Sequence, residues 1–195
     1  MDQEVKFQKA KNIYFHDKIL AATILKLIPR SIEPNHVTAL RFIATPFVVG
    51  ILLSGYYKIG AILFIITAFT DAIDGSLART RDQITVWGKL YDPLADKLLV
   101  TLVLIILGAK YLSTTLIGSI IFIEVLLIFG AVFVFRHKET QANIWGKIKM
   151  ICQVLGITLL LLGIIFNIPS LFDFSMNIFI IGIIFGIISV FTYSA

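Results

Sequence analysis

The chain has 195 residues, of which 58% are hydrophobic and 15% charged, with a formal net charge of +5 at pH 7. Such a composition excludes an ordinary water-soluble domain and marks an all-α integral membrane protein. A single cysteine, Cys152, excludes an internal disulfide and a cysteine-based metal centre, and the positive charge lies in turns flanking apolar runs, which argues against a nucleic-acid partner.

Residues 1 to 15 are charged and lead into no apolar core with a cleavage site, so no cleavable signal peptide is expected. From Phe15 to Ile32, apolar Ile19, Leu20, Ile24, Leu27 and Ile28 interleave with Lys18, Lys26 and Arg30, the pattern of an amphipathic helix in the cytoplasmic interface. Pro34-Asn35 punctuates the chain, and a first span is predicted from near Thr38 to Leu53, with Arg41 in its first turns. By itself Arg41 reads as an anchor snorkelling to the headgroups. Ser54 to Lys58 is a short turn, and the run Ile59 to Phe69 carries a second span into Asp71 and Asp74.

Thr80 to Trp87 reads as a polar turn and Tyr91 to Leu112 as a third span, with Asp92 and Asp96 in its first two turns. Pro93 is expected to be tolerated there because first-turn amides have no helical partner to lose. Thr114 to Phe135, Ile144 to Phe166 and Phe174 to Phe191 complete six spans, against the roughly 20 residues that cross a hydrocarbon core. The expected organisation is a single membrane domain over 1–195, with 1–33 as an N-terminal cytoplasmic or interfacial segment. Cations cluster before the first span, at Arg79, Arg81 and Lys89, and at Arg136, Lys138, Lys147 and Lys149, leaving Lys58 and Lys110 on the other side. The positive-inside rule therefore predicts a multi-pass protein of the cytoplasmic membrane with its N-terminus inside and the acidic residues opening to the cytoplasm.

Those acids are the chemistry-bearing feature. Asp71 and Asp74 are three apart and Asp92 and Asp96 four apart, so on helices each pair projects from one face. Four uncompensated carboxylates in a bilayer would cost roughly 10 kcal/mol, as much as a typical domain's whole stability. Divalent metal ions accept several carboxylate oxygens at once, and two of them activate an attacking oxygen and stabilise a leaving oxygen in phosphoryl chemistry. The expected cofactor is Mg2+ or Mn2+, two ions held by Asp71, Asp74, Asp92 and Asp96.

The pattern Asp71-x-x-Asp74-Gly75-x-x-Ala78-Arg79, eight residues, Gly88-x-x-x-Asp92-x-x-x-Asp96 resembles the signature of the CDP-alcohol phosphatidyltransferase family at every fixed position. Asp92-Pro-Leu-Ala-Asp96-Lys97 and Pro34-Asn35-x-x-Thr38-x-x-Arg41 further resemble its phosphatidylglycerophosphate synthase branch. The resemblance implies a homodimeric enzyme that moves a phosphatidyl group from CDP-diacylglycerol to a small alcohol or phosphoalcohol, most like glycerol 3-phosphate, and releases CMP. It assigns the last acid, Asp96, as the base that takes the acceptor's proton. It also implies nucleotide contacts at Asn35, Thr38, Asp71, Asp74, Gly75, Ala78, Arg79 and Gly88. Missing side chains at Gly75 and Ala78 would admit the nucleotide close to the helix, and Arg79 offers a planar fork to phosphate.

An anionic acceptor wants fixed cations, for which Arg41, Lys97, Arg136, Lys147 and Lys149 are the candidates. Gly146-Lys147-x-Lys149, with Gln153 one turn on, resembles a G-K-x-K-T-x-x-Q stretch of the same branch, although Met150 stands where that branch has Thr. That branch usually carries an Arg-Glu pair in the fourth span, whereas this chain has Ile123-Glu124. An unpaired acid there costs about 2.5 to 3.5 kcal/mol, so Glu124 is expected to find Arg41, Lys147 or Lys149 and to belong to the acceptor site.

Other acceptors on the same machinery are inositol phosphate, phosphatidylglycerol and serine. A divalent-cation transporter is a reading of another class, but it predicts acids spread through the membrane depth, and the fifth span, Ile144 to Phe166, has none. An inactive lipid-binding member of the family is a further alternative, against which the intact signature argues.

Overall fold

The computed structural model describes residues 34–80, 86–129 and 144–194. Every element among them is an α-helix: α1 (Pro34–Leu53), α2 (Tyr57–Thr80), α3 (Val86–Tyr111), α4 (Thr114–Phe129), α5 (Ile144–Phe166) and α6 (Pro169–Ser194). The interfacial helix expected before Pro34, the turn residues 81–85, the end of the fourth span and the cations Arg136 and Lys138 lie outside the described residues.

Three helices are long and apolar enough to cross a membrane by length and composition, His36–Leu53, Ile144–Phe166 and Pro169–Thr192, and two shorter apolar stretches run Tyr57–Thr70 and Thr114–Phe129. The architecture is thus all-helical and of membrane type. Several helix starts differ from the sequence expectation. α1 begins at Pro34 rather than near Thr38, because proline's fixed φ and missing N–H suit the first helical position. α6 begins at Pro169 for the same reason. α3 begins at Val86, so Trp87 is helical and Pro93 lies inside the helix rather than in its first turn. The carbonyl of Lys89, four residues before that proline, therefore lacks its helical N–H donor. Asp92 and Asp96 sit about two and three turns into α3 instead of in its first two.

Two turns have the backbone that sequence punctuation demands. Gly55 ends α1 with φ 82°, and Gly55 N–H bonds to Leu52 O at 3.1 Å while Tyr56 N–H bonds to Ile51 O at 3.2 Å. This is the Schellman pattern, which returns the chain at once into α2. Asn167 plays the same part between α5 and α6 with φ 52°, and Ile168 N–H reaches back to Gly163 O at 3.1 Å.

The described residues fall into two compact units, one of 34–50 and 62–99, the other of 51–61 and 100–194. In the first, Val48, Phe64, Leu77, Ala95 and Leu99 are buried, together with polar Thr38, Arg41, Thr45, Thr67 and Ser76. α1 there is inside out relative to a water-soluble helix. Arg41 is 1% exposed, whereas Leu40, Ile43 and Phe47 are 58%, 60% and 65% exposed. A polar stripe turned inward and an apolar one outward is the arrangement that lipid selects.

In the second unit, α6 packs against both α4 and α5. The α5–α6 seam is antiparallel and made by close approaches: Gly146 against Ser189, Gly182 against Cys152, Gly156 against the Phe179 ring and Gly163 against Phe172. Small residues at helix contacts matter in lipid, where association rests on van der Waals fit. A Cβ on Gly156 would lie 2.6 Å from Phe179 Cε1, and that ring is 1% exposed with nowhere to retreat. Gly156→Ala is therefore expected to lower stability by about 1 to 3 kcal/mol. Gly118→Ala, where nothing lies within 4 Å, should be neutral or slightly stabilising in the same thermal unfolding measurement in detergent.

Candidate active site

The acidic motif lies on helical backbone throughout. Asp71, Asp74, Gly75, Ala78 and Arg79 are in α2, and Gly88, Asp92 and Asp96 in α3, so the three- and four-residue spacings are spacings along helices. Asn35 is in the first turn of α1. The side chains of these nine residues are not among the described ones. Among the described side chains, no three His, Cys, Asp or Glu gather as a metal site.

In the first unit the described polar groups centre on Arg41. Its burial excludes the headgroup-anchor reading, since a snorkelling side chain keeps its charge in water. Arg41 Nε donates to Thr70 Oγ1 at 3.4 Å, and Thr70 Oγ1 donates to Thr67 O at 2.6 Å. Thr45 Oγ1 donates to Arg41 O at 2.8 Å, one turn along α1. Thr38, one turn before Arg41, is also buried, and Lys97 on α3 is half-buried. Thr70 escaped the sequence reading because a threonine at the end of an apolar run carries no signal of its own. Its position next to Asp71 was the clue.

In the second unit Glu124 of α4 meets α5. Glu124 Oε1 accepts hydrogen bonds from Lys149 Nζ and from Gln153 Nε2, the latter at 2.9 Å. The Glu124 and Lys149 side chains are each 6% exposed. Of the three cations expected for Glu124, Lys149 is thus its ion-pair partner. Lys147, two residues earlier on α5, is exposed.

Room for this pair comes from α6. A Cβ on Gly186 would lie 3.3 Å from Lys149 Cδ and 2.7 Å from Ile123 Cγ2, so the absent side chain lets the lysine stem and Ile123 pass. Glu124 Oε2 is buried and has no hydrogen-bond partner among the described residues. A carboxylate with one oxygen accepting two hydrogen bonds can still accept from a further donor at the other.

A family model described as CDP-alcohol phosphatidyltransferase matches residues 31–191. The chain belongs to the CDP-alcohol phosphatidyltransferase family. Membership bears out the resemblance carried by Asp71 to Asp96, and it makes the chain an enzyme of phosphatidyl transfer. Among curated members it is 34% identical over 153 residues to the CDP-diacylglycerol--glycerol-3-phosphate 3-phosphatidyltransferase of Bacillus subtilis, covering 70% of this chain and 78% of that one. A protein of the same name from Aquifex aeolicus is 30% identical over 138 residues, 68% of this chain and 75% of its own. A probable cardiolipin synthase (CMP-forming) of Drosophila melanogaster is 34% identical over 106 residues, 53% of this chain and 33% of its own.

The buried pair of this family member has a measurable energetic signature. Lys149→Met leaves the Glu124 charge without its cation and should cost about 3 to 5 kcal/mol. Adding Glu124→Gln should recover most of that loss, because no unpaired charge then remains. Thermal unfolding of both single variants and the double variant in one detergent checks the cycle, and additive losses would show that the pair is not coupled.

Proposed function

We propose that the protein catalyses transfer of the phosphatidyl group of CDP-diacylglycerol to glycerol 3-phosphate, releasing CMP and making phosphatidylglycerophosphate. The observation that carries this reading is the acidic signature intact on the helical backbone of α2 and α3 in a chain whose curated relatives include glycerol-3-phosphate 3-phosphatidyltransferases.

The donor set fits a hard divalent cation, since it offers carboxylates at i, i+3 and i, i+4 of helices, with neither thiolate nor imidazole in the motif. Asp71, Asp74, Asp92 and Asp96 would hold two Mg2+ or Mn2+ ions, which supply charge neutralisation for the diphosphate and for departing CMP. Around them the chain's own groups divide the work. Asn35, Thr38, Gly75, Ala78 and Gly88 hold the nucleotide, and Arg79 bonds its phosphate. The acceptor hydroxyl forms a bond to the phosphorus bearing diacylglycerol as the link from that phosphorus to CMP breaks. Asp96 takes the hydroxyl proton, provided it is not wholly committed as a ligand.

Acceptor binding is assigned to Arg41, Lys97, Glu124, Arg136, Lys147 and Lys149. Glu124 takes its cation across the helix interface from Lys149, which supports a polar acceptor pocket despite the missing neighbouring arginine. The helices make six spans of the cytoplasmic membrane in a homodimer, with the N-terminus and the acidic motif at the cytoplasmic face, the side on which the cationic turns are clustered.

The test is CMP release by purified protein in lipid nanodiscs supplied with CDP-diacylglycerol, Mg2+ or Mn2+, and in turn glycerol 3-phosphate, inositol 1-phosphate, serine and phosphatidylglycerol. Release should require the metal, be abolished by chelation and be greatest with glycerol 3-phosphate. Phosphatidylglycerol as best acceptor would favour the cardiolipin-type reaction, which the similarity to cardiolipin synthases makes the second reading. Asp96→Asn should lower kcat by about 10²- to 10⁴-fold, the usual worth of a general base, while CDP-diacylglycerol still binds. A near-normal kcat in that variant removes Asp96 from the role.

A further inference from the structure

At the junction of α1, α2 and α3 in the second unit, three side chains form a donor cluster that the transfer reaction does not use. Lys110, in the last turn of α3, donates through Nζ to Tyr57 Oη at 2.7 Å, and Tyr111 Oη donates to the same oxygen at 3.1 Å. The ammonium also sits 5.3 Å from the Tyr57 ring centroid and 5.5 Å from that of Tyr111, held between the two rings by cation–π attraction. Those rings meet edge to face at 6.1 Å, and Tyr111 leans on Phe172 of α6 at 6.2 Å.

Counting protons shows what this arrangement leaves over. An ammonium has three N–H donors, and Lys110 spends one on Tyr57. A phenol oxygen has two lone pairs and one proton; Tyr57 accepts twice, so its own O–H is left to donate elsewhere. Two ammonium N–H groups of Lys110 and the Tyr57 O–H thus remain as donors beside the two rings. The chain beside Tyr57 exposes apolar side chains: Leu53, Tyr56 and Ile59 are 67%, 64% and 54% exposed. Lys58, next to Tyr57, adds a second exposed cation, and Asp173, next to Phe172 on α6, is an exposed carboxylate.

We propose that Tyr57, Lys110 and Tyr111 form a binding site for the phosphate of an anionic glycerophospholipid, with Lys110 and the Tyr57 hydroxyl donating to phosphate oxygens and the apolar rim taking the acyl chains. Charge complementarity selects an anion, and the apolar rim selects one attached to lipid over free phosphate. An aromatic and lysine cluster at a helix end is also where a membrane interface would lie. None of its three residues belongs to the acidic motif, so occupancy and catalysis are read out separately.

The test is native mass spectrometry of the full chain released from micelles containing phosphatidylglycerol or phosphatidylcholine, with and without millimolar inorganic phosphate, for wild type, Tyr57→Phe, Lys110→Met and Lys110→Arg. Wild type and Lys110→Arg should retain phosphatidylglycerol over phosphatidylcholine. Lys110→Met and Tyr57→Phe should each weaken that retention about tenfold, the worth of one charge-assisted hydrogen bond. CMP release measured on the same samples should be unchanged in all four, which separates loss of the site from loss of the fold. Equal retention in wild type and Lys110→Met, or equal retention of the two lipids by wild type, overturns the proposal. Displacement of the lipid by inorganic phosphate would also overturn it in favour of a free-anion site. If Lys110→Met loses CMP release, the Tyr57→Phe and phosphatidylcholine comparisons decide on their own.

Discussion

An apolar chain can carry charge inward only where a partner waits, and the Glu124–Lys149 pair is where this constraint is most fully visible. Glu124 comes from α4 and Lys149 from α5, and α6 must be notched at Gly186 for the lysine stem to pass. One interaction therefore fixes what three helices present at that level. Gln153, one turn beyond Lys149, adds an uncharged donor to the same carboxylate oxygen, so the contact depends on the rotation of α5 as well as its distance. The seam of small residues along α5 and α6 is the packing counterpart, because it brings the two backbones near enough for that geometry.

The first unit places a hydroxyl against its own buried charge. Arg41 is buried on a helix whose apolar residues face outward; its guanidinium donates to the Thr70 hydroxyl, and Thr45 donates to its backbone carbonyl. Threonine suits this task in a membrane helix, since its hydroxyl bonds a carbonyl in the preceding turn and still offers an oxygen to a neighbour. Thr70 does both while standing immediately before Asp71. The orientation of the guanidinium and the start of the acidic motif are consequently linked through one residue.

What could be read from the sequence divides along physical lines. The acidic motif was legible because its chemistry demands fixed residue types at fixed helical spacing, and a family match confirms the class. Apolar run lengths gave the helices and their order, and Ser54-Gly55 and Asn167 gave two of the turns. Helix starts were less legible. Pro34 and Pro169 open helices rather than merely interrupting the chain, and Gly88 and Lys89 look like turn residues although α3 already runs from Val86. The partner of Glu124 was not legible at all beyond a short choice of cations, since a contact across 25 residues of sequence leaves no periodic trace. The Tyr57, Lys110 and Tyr111 cluster was hidden for the same reason, its members lying on opposite ends of the helices that separate them.

The inverted surface of α1 has a consequence for how the protein is made. A helix presenting Arg41 to lipid with nothing beside it would enter the bilayer at a penalty of about 2.5 to 3.5 kcal/mol. One of its hydrogen-bond partners is Thr70, on the very next helix, and only the tight turn at Gly55 separates the two helices. The order of elements along the chain thus supplies the partner at the earliest moment biosynthesis allows. It favours α1 and α2 leaving the translocation machinery together as a helical hairpin, with one partner of the arginine already in place before either helix is given up to lipid.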